Sequence, residues 1–125
     1  SATITPSSTS NKILVLATIN SDAGSNAHIR LVRNTTPISI GDSAGSRSQV
    51  TGASSRNAVG GDDSINNGIT FLDSPSSTSA LTYQVKFTHA SSATQTIYQN
   101  RIEGDGDTSK IFRGTSSLTV MEIQA

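Results

Sequence analysis

Apolar residues in this chain come in short runs that alternate with polar ones at a period of two, the pattern of β-strands rather than helices. The run Lys12 to Asn20, KILVLATIN, places Ile13, Val15, Ala17 and Ile19 on one face and Leu14 and Leu16 on the other, so both faces are apolar. His28 to Arg33 sets Ile29 and Leu31 against His28, Arg30 and Val32, a strand with one wetter face. Pro37 to Ile40 reads as a short strand with proline at its start, where a missing N–H does least harm. Ile69 to Leu72 is the next strand, closed by the turn residues Asp73, Ser74 and Pro75. Leu81 to Thr88, LTYQVKFT, turns Leu81, Tyr83, Val85 and Phe87 inward; Thr96 to Ile102, a short Lys110 to Arg113 segment and Ser117 to Ile123 follow. Between Gly41 and Gly68 the larger apolar side chains are only Val50, Val59 and Ile65, which predicts a long surface loop hiding a short strand near Gln49 to Thr51. Strands at this spacing predict one all-β domain, an antiparallel sandwich or barrel, over residues 1–125.

Composition supports the same class. Ser, Thr, Gly and Asn make up 56 of the 125 residues, and these types favour turns and edges over helix interiors. Ile, Val and Thr total 34, and stiff β-branched side chains fit a pleated surface. Nine basic and nine acidic side chains cancel, which argues against nucleic acid as the main partner, since neutralising phosphates takes a surplus of Lys and Arg. The longest apolar run lies within Ile13 to Thr18, far short of the roughly 18 residues that span a bilayer, so no membrane insertion is expected. There is no cysteine, hence no disulfide, thiolate metal site or cysteine nucleophile.

Two strands are apolar on both faces. Besides Lys12 to Asn20, the last strand carries Leu118 and Val120 on one side with Met121 and Ile123 on the other. An antiparallel sheet normally turns one face to water, so something must cover Leu14, Leu16, Met121 and Ile123. A loop is one cover; in a helix-poor chain this short a further copy of the chain is the cheaper one. These four residues are therefore the expected subunit interface.

Candidate chemistry is sparse. His28 and His89 fall on different strands with no metal-ligand spacing, no GxSxG elbow accompanies the many serines, and neither catalysis nor a cofactor or resident metal is expected. Glu103, Asp105, Asp107 and Ser109 in EGDGDTS offer alternating oxygens of the kind a calcium loop uses, but without a distal bidentate Glu they read as a solvated turn. Asn34, Thr35 and Thr36 match a glycosylation sequon by pattern alone. Phe71, Tyr83, Phe87, Tyr98 and Phe112 are the only aromatic residues and fall mostly at inward positions, so any glycan site must be polar. In the long polar segment, Arg47, Arg56, Asn57, Asp62 and Asp63 are the side chains suited to directional contacts on a partner.

Taken in order, ITPSSTSNKILVLATIN, HIRLVRN with TTPISIGD, FLDSP, LTYQVKFT and the closing SSLTVMEI resemble the C-terminal jelly-roll domains of bacteriophage structural proteins, above all fibre and appendage proteins of marine phages. Those domains look like the trimeric head domains of the tumour necrosis factor and C1q superfamily. The resemblance implies a jelly-roll β-sandwich, a homotrimer, and a non-enzymatic structural role at the virion surface, on a tail fibre, appendage or capsid exterior. It also implies contact with other virion proteins such as a fibre shaft, tail or capsid, recognition of a host-surface glycan or protein, and a strand or attachment segment upstream of Ser1. A capsid decoration protein is the alternative role, and a cellular adhesin or carbohydrate-binding module a further one.

Overall fold

In the computed structural model, which describes residues 1–23, 27–53, 64–89 and 94–125, the chain is an all-β sandwich of two antiparallel sheets. The strands are β1 (Ala2–Ile4), β2 (Lys12–Ala23), β3 (Ala27–Arg33), β4 (Thr36–Ile38), β5 (Gly52–Ala53), β6 (Ile65–Asp73), β7 (Leu81–His89), β8 (Ile97–Gln99) and β9 (Ser117–Ile123). Among the described residues there is no helix, so none is long and apolar enough to cross a membrane.

Each sheet is organised around one apolar strand. In the four-stranded sheet the 12-residue β2 pairs with β6 along one side, while β9 and then β8 share the other side end to end. In the five-stranded sheet β3 pairs with β7 on one side and with β4 and β5 on the other, and β1 lies at the far edge of β7. Alternation then sends Ile13, Val15, Ala17, Ile19 and Ile69 from one sheet and Ile29, Leu31, Leu81 and Tyr83 from the other into a single core. Each Ile, Val or Leu withdrawn fully from water contributes about 1.5–3 kcal/mol, which is what holds the sheets face to face. Phe71, Val85, Phe87, Leu118 and Val120 pack against this core while staying partly exposed. Three of them, Val85, Phe87 and Leu118, line a cleft of about 330 Å³ between the sheets, beside the stretch of β7 that three-residue β1 does not reach.

A polar tie crosses the core. Arg33 lies in register with Ile29 and Leu31, and Asp73 with Ile69 and Phe71, so both point inward from opposite sheets. Arg33 Nη1 donates to Asp73 Oδ1 at 2.8 Å and Oδ2 at 2.7 Å, and the fully buried Tyr83 hydroxyl donates to Asp73 Oδ2 at 2.6 Å. Burial, reinforced by the bond to the Asp73 carboxylate, pushes the Tyr83 hydroxyl well above the ordinary tyrosine range. It stays a donor at any physiological pH.

The structure departs from the sequence expectations at several boundaries. Asp73 closes β6 as a core residue rather than opening the following turn. β2 continues through Ser21 and Asp22, polar residues that are nonetheless buried, Asp22 Oδ2 accepting from the Glu103 backbone N–H at 2.9 Å. The expected short strand falls at Gly52–Ala53, β6 starts at Ile65 inside the presumed loop, and the Lys110 to Arg113 segment makes only a single bridge, Arg101 to Arg113.

Candidate assembly face and recognition loop

The outer face of the four-stranded sheet is apolar and bare. Register places Leu14 directly between Leu72 of β6 and Met121 of β9, with Leu16 one step along between Thr70 and Thr119, and Ile123 across from Lys12. Directly opposed residues on one face of such a pair have Cβ atoms about 4.5–5.5 Å apart, so these side chains form one continuous patch. Leu16 is 36% exposed, Leu72 47%, Met121 41% and Ile123 40%, whereas Leu14, flanked on both sides, is half-buried. Beside the patch Gly68 leaves a gap in the surface, a shallow depression of about 380 Å³ ringed by hydroxyls of Thr18, Thr70, Ser117 and Thr119. Four of these five apolar residues stand where alternation puts them. Leu72 was missed, although Ile69 and Phe71 facing inward leave Thr70 and Leu72 on the outside.

The opposite outer face differs. On β3 and β7 it carries His28, Arg30, Val32, Gln84, Lys86 and Thr88, and Val32 is only 3% exposed. The segment after β4 folds back along β3: Thr51 N donates to Ile29 O at 2.9 Å, Leu31 N to Thr51 Oγ1 at 2.8 Å, and Arg30 Nε to Gln49 O at 2.8 Å. The segment also ties itself together, Gly41 N donating to Val50 O at 3.2 Å and Gln49 Nε2 to Gly41 O at 2.8 Å. Its tip is a turn in which Arg47 N donates to Ala44 O at 3.2 Å and Gly45 takes a left-handed φ of 58°, a conformation that favours glycine. Arg47 stands exposed on this turn. The other polar residues singled out in that stretch, Arg56, Asn57, Asp62 and Asp63, lie outside the described residues.

Asp105 is held by Arg113 at 2.7 Å and Arg101 at 3.4 Å, and Arg101 in turn stacks 4.6 Å from the Tyr98 ring centroid. Among the described residues no group of three His, Asp or Glu is arranged to hold a metal ion. His28 and His89 occupy adjacent strands but opposite faces, since His28 pairs with Thr88 and His89 with Ala27. Asn34 is the left-handed residue of the β3–β4 turn, φ 54°, and its Oδ1 accepts from Thr82 N at 2.9 Å. Phe112 is the aromatic residue that stays outside, 44% exposed.

One carboxylate is perturbed. Glu122 Oε1 accepts from Asn11 Nδ2 at 2.7 Å, Ser7 N at 2.6 Å and Ser7 Oγ at 2.9 Å, tying the chain between β1 and β2 to β9. Those bonds, Asn11 first, hold its carboxyl below the ordinary value of 4.5. No protein-family model, curated protein or solved structure matches the chain.

Proposed function

We propose that this chain is a non-enzymatic virion structural protein: a jelly-roll knob of the tumour necrosis factor and C1q type that assembles as a homotrimer and stands on the particle surface at the tip of a fibre or appendage. The observation that carries the reading is the bare row Leu72, Leu14 and Met121 with Leu16 and Ile123 on the outer face of the four-stranded sheet. A contiguous apolar patch of this kind is an aggregation liability on a lone domain and an interface on a closed oligomer. In this reading the patches of three copies meet at the threefold axis and the five-stranded sheet faces outward, free to contact a host-surface glycan or protein while the shaft, tail or capsid holds the base. A sandwich by itself fixes no activity, so the role rests on the bare apolar face and on the sequence resemblance.

Light scattering on purified protein is the first test, with a mass of three times 12.9 kDa expected and a mass of 12.9 kDa at micromolar concentration overturning the trimer. Met121→Asp should dissociate the assembly, because an unpaired charge buried at the seam costs several kcal/mol, on the order of 3 or more per site. A particle reconstruction then tests placement: a distal tip supports the knob, and simultaneous contact with several capsid subunits overturns it.

A further inference from the structure

The depression between Arg30 and the Arg47 turn has the chemistry of a binding site. It holds about 410 Å³ and is lined by Arg30, Pro37, Ile40, Ser43, Arg47 and Gln49, together with neighbouring Ser and Gly residues of the turn. Its lining is cationic: Arg30 and Arg47 both line it, Arg47 with one long Nη1 contact of 3.3 Å to Ala44 O, Asp42 adjoins it in sequence without lining it, and no Asp or Glu lines it among the described residues. Arg30 is half-buried, its Nε is committed to Gln49 O at 2.8 Å, and among the described residues it makes no ion pair. One N–H of its five is thus used to aim the group, and the Nη edge keeps the fork that fits a carboxylate or sulfate through two parallel bonds. The walls are braced by the Gly41–Val50 and Gln49–Gly41 hydrogen bonds, so little ordering remains to be done on binding.

We propose that this depression binds an acidic saccharide, with the carboxylate or sulfate of the sugar on Arg30 and Arg47, its hydroxyls on the serine and Gln49 groups, and the C–H face of the ring against Pro37 and Ile40. The assignment rests on the host-surface reading above and names the ligand class for it. It also resolves a difficulty of composition: with no tryptophan and no aromatic residue lining the depression, ring stacking is not available there, and charge with hydroxyl matching takes its place. The site lies on the five-stranded sheet, opposite the face that the trimer covers, so three copies can engage a polymeric glycan together. Where one flexible polymer reaches more than one of these sites at once, avidity rises by about 10²–10⁴ over a single site.

The test is calorimetric titration of the intact protein with four probes: oligogalacturonate, chondroitin sulfate oligosaccharide, a neutral maltooligosaccharide and sodium sulfate. At least one of the two acidic saccharides should bind about tenfold or more tightly than the neutral sugar and than inorganic sulfate, and the affinity should fall as salt rises. Arg30→Gln and Arg47→Ala should each weaken that binding by about tenfold or more, while Arg113→Ala, which pairs with Asp105 and does not line the depression, should leave it unchanged. Arg47 is exposed, so its variant keeps the test readable even if Arg30→Gln perturbs folding. Absence of binding to both acidic saccharides, binding that survives both variants, or binding matched by free sulfate overturns the site. Light scattering on the same samples separates this from the assembly: a monomer that binds through Arg30 and Arg47 breaks the trimeric knob and supports the site, whereas a trimer indifferent to both acidic saccharides breaks the site alone.

Discussion

The outer faces of the two sheets are built to opposite specifications by a chain of uniform composition. Behind β2 the surface is Leu14, Leu16, Leu72, Met121 and Ile123, and among the described residues nothing is laid over it. Behind β3 the outward residues are mostly polar, the apolar one among them, Val32, is buried, and the segment after β4 is bound to the strand by backbone and side-chain hydrogen bonds. Both central strands offer their inner sides to one core, so packing against that core does not explain the difference. What separates the faces is how much apolar surface each leaves to water. A sheet with its own loop tied along it exposes mostly polar groups around one buried Val, whereas a sheet left apolar across three strands is an aggregation liability in water until another surface comes to it.

The largest effect should come from between the faces. Asp73→Ala would remove the acceptor of both Arg33 and Tyr83 and leave a buried hydroxyl and a guanidinium without their partner. Breaking a buried pair in this way costs about 3–5 kcal/mol, the lower end being apt here because Arg33 keeps some exposure. Chemical denaturation of the variant checks it. A loss below about 1 kcal/mol would mean the tie is incidental and the apolar core alone joins the sheets.

The next pair of variants addresses the comparison itself. Val32→Asp places a charge on the five-stranded sheet at a position that is 3% exposed, and should destabilise the fold by several kcal/mol, on the order of 3. Leu72→Asp places the same charge on the four-stranded sheet, where the residue is 47% exposed in a single chain, and should change the stability of the dissociated subunit by less than about 0.5 kcal/mol while abolishing assembly. Denaturation at high dilution with light scattering at high concentration measures the two quantities separately. If both variants behave alike, the two outer faces are not different in kind.

How much of this was legible beforehand depended on whether period two could be followed. The long strands, their inward sets and the apolar outward residues Leu14, Leu16, Met121 and Ile123 were, because a strand face is read directly from alternation. The Arg33–Asp73–Tyr83 tie was not, since sequence separations of 40 and 10 residues carry no spacing signal. Yet Arg33 is in phase with Ile29 and Leu31, and Asp73 with Ile69 and Phe71; a charge standing in an inward register is itself a sign of a buried partner. By residue type alone Asp73 reads with Ser74 and Pro75 as a turn. The start, Ala2–Ile4, offered only three residues, too few for alternation to show, and the extension of β2 through Ser21 and Asp22 was hidden because Ser and Asp ordinarily mark an end. The Arg30 depression depends on the fold-back of the segment after β4, which no local pattern announces.

Acid distinguishes the two faces on a smaller scale. Glu122 lies between Met121 and Ile123 in β9 and on the opposite side of the strand, where Asn11 and Ser7 depress its pKa below 4.5. A carboxyl whose folded pKa is depressed adds stability that is fully present above its unfolded value and is lost as pH falls through the folded one. Below about pH 4.5 the hold of the 5–11 segment on β9 should therefore weaken, and with it the edge of the apolar face. Thermal melts from pH 6 to pH 3 should show a steeper decline for the native chain than for Glu122→Gln, on the order of a few degrees. Equal slopes would show that this contact contributes nothing to the fold.

The smallest effect belongs to the loop that covers the other face. Arg47→Ala should change stability by under about 0.5 kcal/mol, as is usual for exposed sites away from caps and strained backbone. What fixes the turn is the backbone, Arg47 N on Ala44 O and the left-handed Gly45, and both survive the substitution. The guanidinium itself adds only a 3.3 Å contact from Nη1 to Ala44 O, long for a hydrogen bond and open to water. The segment is anchored to β3 elsewhere, through Thr51 and Gln49, so truncating Arg47 leaves the cover over the sheet in place. If denaturation shows a loss above about 1 kcal/mol instead, Arg47 is part of that cover, and the polar outer face is held down by its side chains rather than by the backbone of its loop.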